Sequence, residues 1–180
     1  MKHKNLLIIS TFLFFLPALL FSQEGEMFPE IEVVDLNENE ISIPEDTKGK
    51  FTLVGVAFSE NAQEDLYSWS QPVFSEFMDE NNLSSLVYDP YVKLILMFTG
   101  ANRLVYNKAK KKITEGTDES LKKNVVLYKG KMEDYRKKLK MKNRKRPYFF
   151  VLDRKGKIIY TAEGKYDREI LEEVGDLIEE

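Results

Sequence analysis

Side chains that carry most enzyme chemistry are scarce in this sequence of 180 residues. It contains no cysteine, and its one histidine, His3, lies in a segment that we expect to be removed. Disulfides, cysteine nucleophiles, thiolate metal sites and histidine-dependent catalysis are therefore excluded from the mature chain. Carboxylate pairs occur, as in Glu64 with Asp65, but among 30 acidic residues they indicate solvated surface.

The glycines exclude a common type of cofactor site. None of the nine is spaced as G-x-G, and no Gly-Lys pair is followed by Ser or Thr, so nucleotide-phosphate loops are absent. No spacing resembles a calcium loop. We therefore expect no enzyme activity, no metal and no cofactor.

Positive charge is concentrated in one part of the sequence. Residues 93–146 carry 18 basic and 5 acidic side chains, whereas residues 23–92 carry 2 and 16. This segregation indicates either a solvated face or a docking surface for an anionic membrane or an acidic protein. An export signal argues against nucleic acid. The candidate docking residues are Lys137, Lys138, Lys140, Lys142, Arg144, Lys145 and Arg146.

Strand signals are distributed along the whole mature chain. Residues 30–37 and 40–46 have period-2 apolar positions and predict a leading hairpin. The nearly continuous apolar run from Phe51 to Phe58 predicts a strand buried on both faces, at the centre of the sheet. Further strands are predicted at 92–98, 124–128, 147–153 and 157–164, the last two joined by a tight turn at Gly156.

Helix signals alternate with these strands. An apolar stripe at intervals of three and four predicts a long amphipathic helix, and Pro72 within it predicts a kink or a break. A polar helix is predicted at about 101–112, a short basic helix around Tyr135, and a final helix after Asp167. The stripe of the long helix consists of Ala62, Leu66, Trp69, Val73 and Phe77.

The first 22 residues have the pattern of an export signal. Lys2 and Lys4 form a basic start, and residues 6–21 are an uncharged apolar run. This run is shorter than the about 20 residues that span a bilayer, so we expect cleavage after Ser22, with an uncleaved membrane anchor as the alternative. The mature chain, 23–180, is then one exported domain, periplasmic or secreted.

Three segments resemble the thioredoxin-like superfamily, specifically peroxiredoxins and exported thiol oxidoreductases. They are the leading strands from Met27 to Asp46, the strand GKFTLVGVAF and the closing hairpin RPYFFVLDRKGKIIYTAEG. The resemblance covers about Met27 to Glu180 and implies an α/β fold, with a mixed β-sheet flanked by helices and a leading β-hairpin. By position it also implies a cis peptide bond before Pro147.

The Cys-x-x-Cys motif of that superfamily is missing here. It falls where the central strand meets the long helix, which in this chain has the sequence FSENAQEDL. Depending on a one-residue shift, the cysteine positions are Ser59 and Ala62, or Glu60 and Gln63. A thiolate is both nucleophile and leaving group in disulfide exchange, and a hydroxyl without a histidine base replaces neither role. We predict a redox-inactive domain.

A second resemblance is to the mitochondrial assembly factors that help to build the membrane-embedded part of ATP synthase. These have a thioredoxin-like core that need not contain cysteines, and their helix after an apolar strand carries Ser-Trp and then Pro with an apolar residue. Ser68, Trp69 and Pro72, followed by Val73, match this pattern. Trp69 also lies on the apolar stripe of the helix, which predicts a core position.

These features together predict a non-catalytic binding or assembly module that acts on a protein or membrane partner. The alternative is an enzyme: a redox-accessory protein or peroxiredoxin-like reductase that relies on the thiols of a partner, or a hydrolase that uses carboxylates. Nucleotides and nucleic acids are not expected as ligands.

Overall fold

The computed structural model describes residues 23–79, 81–82 and 88–179. The predicted signal peptide, residues 1–22, lies outside the described residues. In the part of the chain that is described, none of the helices has the length and apolar character needed to cross a membrane.

Seven strands form one mixed sheet, so the predicted fold class is confirmed. Their order across the sheet is β2-β1-β5-β4-β3-β6-β7. The central strands β3, β4 and β5 run parallel to one another, and the other neighbours are antiparallel. The strands are β1 (Ile31–Asp35), β2 (Glu40–Ile43), β3 (Thr52–Ala57), β4 (Tyr91–Thr99), β5 (Val125–Gly130), β6 (Tyr148–Leu152) and β7 (Ile158–Glu163).

Both predicted hairpins are present. In the leading hairpin β1 pairs with β2, with Ile31 opposite Ile43. In the closing hairpin β6 pairs with β7, and Gly156 in the turn has a φ of +87°. A Cβ at Gly156 would lie 2.7 Å from the side chain of Pro44, so the position requires glycine for both its backbone angle and its space.

The part of the chain that the structure describes contains four helices, and two of them differ from the prediction. The long helix α1 continues unbroken through Pro72, so the break considered from the sequence is absent. Pro72 cannot donate a backbone hydrogen bond to the preceding turn. Burial of the apolar side chains on both sides of the proline stabilises the helix by more than this loss costs. Residues 100–105 form a 3-10 turn rather than the start of an α-helix. The helices are α1 (Glu60–Phe77), α2 (Tyr106–Gly116), α3 (Glu133–Lys138) and α4 (Arg168–Glu179).

Helix α1 packs closely on β3, one strand from the middle of the sheet, because β3 carries a glycine. A Cβ at Gly55 would lie 2.7 Å from Leu66 Cδ1 and 3.1 Å from Phe149 Cε1. The predicted stripe of α1 is buried in full, since Ala62, Leu66, Trp69, Val73 and Phe77 are each less than a tenth exposed. The apolar stripe of α4 packs beside it, through Leu171 and Val174 among others.

Candidate binding surface

The start of α1 contains the positions predicted from the sequence to correspond to the redox cysteines of the superfamily, either Ser59 with Ala62 or Glu60 with Gln63. Ser59 is the N-cap residue, and its Oγ accepts a hydrogen bond of 3.2 Å from the Ala62 backbone N–H. The same Oγ donates a hydrogen bond of 2.6 Å to the Arg144 carbonyl oxygen. Ala62 is fully buried, whereas Glu60 is exposed and Gln63 half-buried.

These contacts give Ser59 and Ala62 structural tasks. A helix cap satisfies a backbone donor that would otherwise have no partner. The Ser59 hydroxyl contacts two backbone groups, neither of which is a general base that could activate it for nucleophilic attack. The arrangement therefore supports the start of a helix and a neighbouring loop, and it offers no thiol chemistry.

The predicted cis bond before Pro147 is wrong. Among the described residues the cis peptide bond is Ile43–Pro44, and the bond from Arg146 to Pro147 is trans. A trans bond is the favoured isomer before proline by about 0.5 to 1 kcal/mol when local packing does not select cis. Pro147 is buried, and its carbonyl oxygen accepts a hydrogen bond of 3.0 Å from the Gly164 N–H.

The Ser-Trp positions lie in the middle of α1 and face the last helix. The Trp69 indole Nε1 donates a hydrogen bond of 3.0 Å to the Gly164 carbonyl oxygen. The Trp69 ring lies 4.3 Å from Phe149 and 5.4 Å from Tyr166, measured between ring centroids. The side chain is only 2% exposed, so the predicted core position is confirmed.

Ser68, the exposed neighbour of Trp69, also bonds to the segment between β7 and α4. Its Oγ donates to the Asp65 carbonyl oxygen at 2.6 Å and accepts from the Tyr166 backbone N–H at 2.9 Å. Pro72, one turn further along, is half-buried and forms part of the continuous helix. Ser68 and Trp69 thus fasten α1 to the segment between β7 and α4. The sequence analysis did not identify Gly164 and Tyr166 as their partners.

The seven candidate docking residues lie within ten consecutive residues, and we call the surface that their side chains form the basic surface. It comprises Lys137, Lys138, Lys140, Lys142, Arg144, Lys145 and Arg146, and every one is exposed. Arg146 forms an ion pair of 3.3 Å with Glu163.

Buried residues between the cations hold this segment against the sheet. Leu139 is 2% exposed and Met141 is fully buried. Lys140, between them, has a φ of +44°, and the Met141 N–H donates to the Arg136 carbonyl oxygen at 3.0 Å. This is the six-to-one hydrogen bond that ends a helix, here with lysine where glycine is usual. Alternating burial therefore turns the charged side chains outward.

The potential around the basic surface is positive enough to affect a nearby acid. The pKa of the Glu133 carboxyl is lowered, first by its hydrogen bond to Arg136 and then by the charges of Arg136, Lys137 and Arg144.

Within the described ranges, no group of three or more His, Cys, Asp or Glu side chains lies close enough to hold a metal ion.

The structure joins two features that are far apart in the sequence. The hydrogen bond from Ser59 to the Arg144 carbonyl spans 85 positions and links one of the predicted cysteine positions to the basic surface. The segment just before β6 is further held by a 2.7 Å hydrogen bond from the Asn143 N–H to the Tyr148 hydroxyl. No pattern in the sequence predicted either contact.

Comparison with known proteins shows the family to which the sequence belongs and the fold that the structure shares. A family model described as ATP10 protein matches residues 13–175, nearly the whole chain. No curated protein sequence matches the chain.

Solved structures similar to the chain include three with thiol chemistry in their names. The thioredoxin domain of a thiol-disulfide oxidoreductase from Bacteroides vulgatus has 20% identity, a TM-score of 0.52, and coverage of 86% of this chain and 97% of that chain. The exposed lipoprotein thioredoxin of Streptococcus pneumoniae has 16% identity, a TM-score of 0.56, and coverage of 83% and 99%. The thiol peroxidase of Chromobacterium violaceum has 13% identity, a TM-score of 0.51, and coverage of 87% of each chain. At these identities the likeness shows the thioredoxin-like fold alone.

Proposed function

This chain belongs to the ATP10 protein family, and from that membership we propose that it is a non-catalytic assembly module that binds a protein partner. The thioredoxin-like sheet serves as a rigid scaffold, and the basic surface makes the contact. The resemblance to assembly factors of ATP synthase, carried by Ser68, Trp69 and Pro72, supports the same class of function.

One observation carries this proposal: Ser59 and Ala62, one of the two predicted pairs of cysteine positions, have structural contacts, while the charged segment bonded to Ser59 faces solvent. Ser59 caps α1 and binds the Arg144 carbonyl oxygen, and Ala62 is fully buried. The side chain of Arg144 is exposed, like the other six cations of the basic surface. Cations this close together repel one another, and an anionic counter-surface relieves the repulsion.

An acidic protein surface fits the basic surface better than a membrane does. Binding of a peripheral segment to a bilayer usually combines positive charge with apolar side chains that enter the interface. The two apolar side chains within residues 137–146, Leu139 and Met141, are both buried in the domain. Charge alone is therefore presented, and acidic side chains of a protein are the partner of matching chemistry.

Capture of the partner from native membranes tests this assignment. We expect the variant Lys137→Glu, Lys138→Glu, Lys140→Glu and Lys142→Glu to lose the crosslinked partner that the unmodified chain recovers. Recovery by the unmodified chain should fall steeply as salt rises, because exposed charges are screened over about 10 Å at 0.1 M salt. The melting temperature should stay almost constant, since exposed ion pairs contribute only about 0 to 1 kcal/mol each.

A charge-matched control separates the basic surface from net charge. Four exposed lysines outside residues 137–146 are changed to Glu in this control, and partner recovery should remain at the unmodified level. The control positions are Lys112, Lys123, Lys155 and Lys157. Equal recovery from the basic-surface variant and the unmodified chain at low salt would contradict the proposal.

We also propose that the protein acts outside the cytoplasm, in the periplasm or as a secreted protein. The basic start and the apolar run of residues 6–21 support export. The intact mass of the protein from its native host should correspond to a chain that begins at Gln23. A full-length mass in a soluble cytoplasmic fraction would contradict export.

The non-catalytic part of the proposal has its own test. The purified chain should neither reduce disulfides nor consume peroxide above the buffer rate, with or without a small-molecule thiol. Turnover that depends on an added protein thiol would favour the alternative, an accessory reductase that uses the thiols of a partner.

A further inference from the structure

A cationic cavity lies at the carboxyl ends of two parallel strands, beside the basic surface. It has a volume of about 470 Å³ and forms where β4 ends at Thr99 and β5 ends at Gly130. Ligands of open α/β sheets usually bind at this edge. The charged side chains of its lining are Arg103, Lys131, Glu133, Arg136 and Arg144.

The cations of this lining outnumber its acid by four to one. Glu133 Oε1 is paired with Arg136 Nη2 at 2.7 Å, and the charge of Arg144 also acts on this carboxyl. Within the described residues, Arg103 and Lys131 form no ion pair with an acid of the lining. Arg103 Nε donates to the Gly100 carbonyl oxygen at 3.2 Å, and this bond holds the side chain across its own 3-10 turn. The backbone of Arg144 is held by Ser59. The 3-10 turn thus orients the guanidinium of Arg103, and Arg144 lies in the same lining with its backbone held.

The residues after Arg103 expose apolar surface at the same edge of the sheet. Leu104 is 90% exposed and Val105 is 51% exposed. Among the described residues, Leu104 is the most exposed of the large hydrophobic side chains. Lys129 lies near this turn, with its Nζ 5.0 Å from the ring centroid of Tyr106. An apolar tip surrounded by cations matches the two layers of a membrane surface, acyl chains and anionic headgroups.

We propose that the turn from Gly100 to Val105 docks on an anionic phospholipid surface. Leu104 and Val105 enter the interface, and the guanidinium groups of Arg103 and Arg144 bind a headgroup phosphate. Guanidinium suits this role because its planar fork donates two parallel hydrogen bonds to phosphate oxygens. The contact shares Arg144 with the basic surface but does not involve Lys137 to Lys142, so the two proposals are tested on different residues.

The absence of cysteine from the sequence makes a site-specific test simple. A single Leu104→Cys substitution in the full chain carries an environment-sensitive fluorophore, and Lys155→Cys carries it in the matched control. Lys155 lies in the turn after β6, and β6 is antiparallel to β3, with Leu152 opposite Thr52 at the start of β3. The control position is therefore at the opposite edge of the sheet. Both chains contain the same N-terminal apolar run, so it contributes equally to both.

The labelled chains are mixed with phosphatidylcholine vesicles, with and without phosphatidylglycerol. We expect a blue shift of the emission at position 104 with phosphatidylglycerol, a much smaller one with phosphatidylcholine alone, and none at position 155. Adding Arg103→Gln and Arg144→Gln should raise the lipid concentration at half-maximal shift by about tenfold or more, the effect of losing two charge-assisted contacts. The charge-matched pair Arg154→Gln and Lys157→Gln should leave it unchanged.

Three results would overturn the proposal. The first is equal emission shifts at positions 104 and 155, which would mean that the N-terminal run or general charge directs binding. The second is an equal response to vesicles with and without phosphatidylglycerol. The third is a soluble anion site, recognised if inorganic phosphate raises the melting temperature through Arg103 while position 104 does not respond to vesicles. Melting curves of all variants establish that each is folded.

Discussion

The middle of α1 and the segment from α3 to β6 both contain residues that the sequence singles out, but their side chains have opposite surroundings. Trp69 is 2% exposed, with its indole nitrogen bonded to Gly164 and its ring against Phe149 and Tyr166. The seven cations of the basic surface are all exposed. The motif in α1 therefore serves packing, whereas the basic surface presents its charges to solvent.

The start of α1 lies between these extremes, because Ser59 is partly exposed and has a structural role. Ser59 satisfies a helix N–H and a loop carbonyl with one hydroxyl group. The comparison predicts that changes in α1 act on stability, whereas changes in the basic surface act on binding.

The largest expected effect on stability comes from Trp69→Ala. Removing a buried tryptophan costs about 3 to 5 kcal/mol, through lost burial and the cavity that remains. Urea unfolding followed by circular dichroism would measure this loss. The control Gln71→Ala, at an exposed position of the same helix, should change the free energy of unfolding by no more than about 0.5 kcal/mol. A stable, well-folded Trp69→Ala variant with impaired partner capture would instead make Trp69 a binding residue.

A smaller loss is expected for Ser59→Ala. The variant loses an N-cap and a hydrogen bond to the Arg144 carbonyl, together about 1 to 3 kcal/mol. Ser59→Thr keeps the hydroxyl and should recover most of that loss in the same unfolding experiment. If both variants matched the unmodified chain, the cap would be unimportant and the position would need another explanation.

The smallest effect concerns the pH dependence of Tyr135, which attaches α3 to the sheet. Its hydroxyl donates to the Glu30 carbonyl oxygen at 3.1 Å, and burial, aided by Tyr128, raises its pKa to about 12. Because the folded pKa is the higher one, the stabilisation is present below pH 10 and is lost as pH rises from about 10 through 12. Phenolate absorbance should lose a transition near pH 12 in Tyr135→Phe. Loss of a transition near pH 10 would contradict this attachment.

Much of the fold follows from the sequence because periodicity reflects burial directly. The run from Phe51 to Phe58 predicted β3, although the middle strand is its neighbour β4, and the stripe from Ala62 to Phe77 predicted α1. A kink or a break was predicted at Pro72, but α1 continues through this residue, because burial of the stripe outweighs one lost hydrogen bond. Local pattern thus predicts elements well and overstates single unfavourable residues.

The surface was harder to predict because its features depend on contacts between distant residues. The basic run was visible as charge, but its bond to Ser59 and its proximity to Arg103 arise only when β3, β4 and β6 are assembled. The exposure of Leu104 is equally a tertiary property, because the segment has the composition of a helix. The predicted cis bond at Pro147 was wrong, because the prediction rested on the position of a proline in a resembling superfamily and not on contacts of this chain.

The most direct test measures two quantities on the same two variants: the free energy of unfolding and the recovery of the crosslinked partner. We predict that Ser59→Ala loses about 1 to 3 kcal/mol and still recovers the partner at a temperature where it is folded. The variant with Lys137, Lys138, Lys140 and Lys142 changed to Glu should keep its stability and lose the partner. The account would be contradicted if the charge variant recovered the partner normally at low salt, or if folded Ser59→Ala failed to recover it.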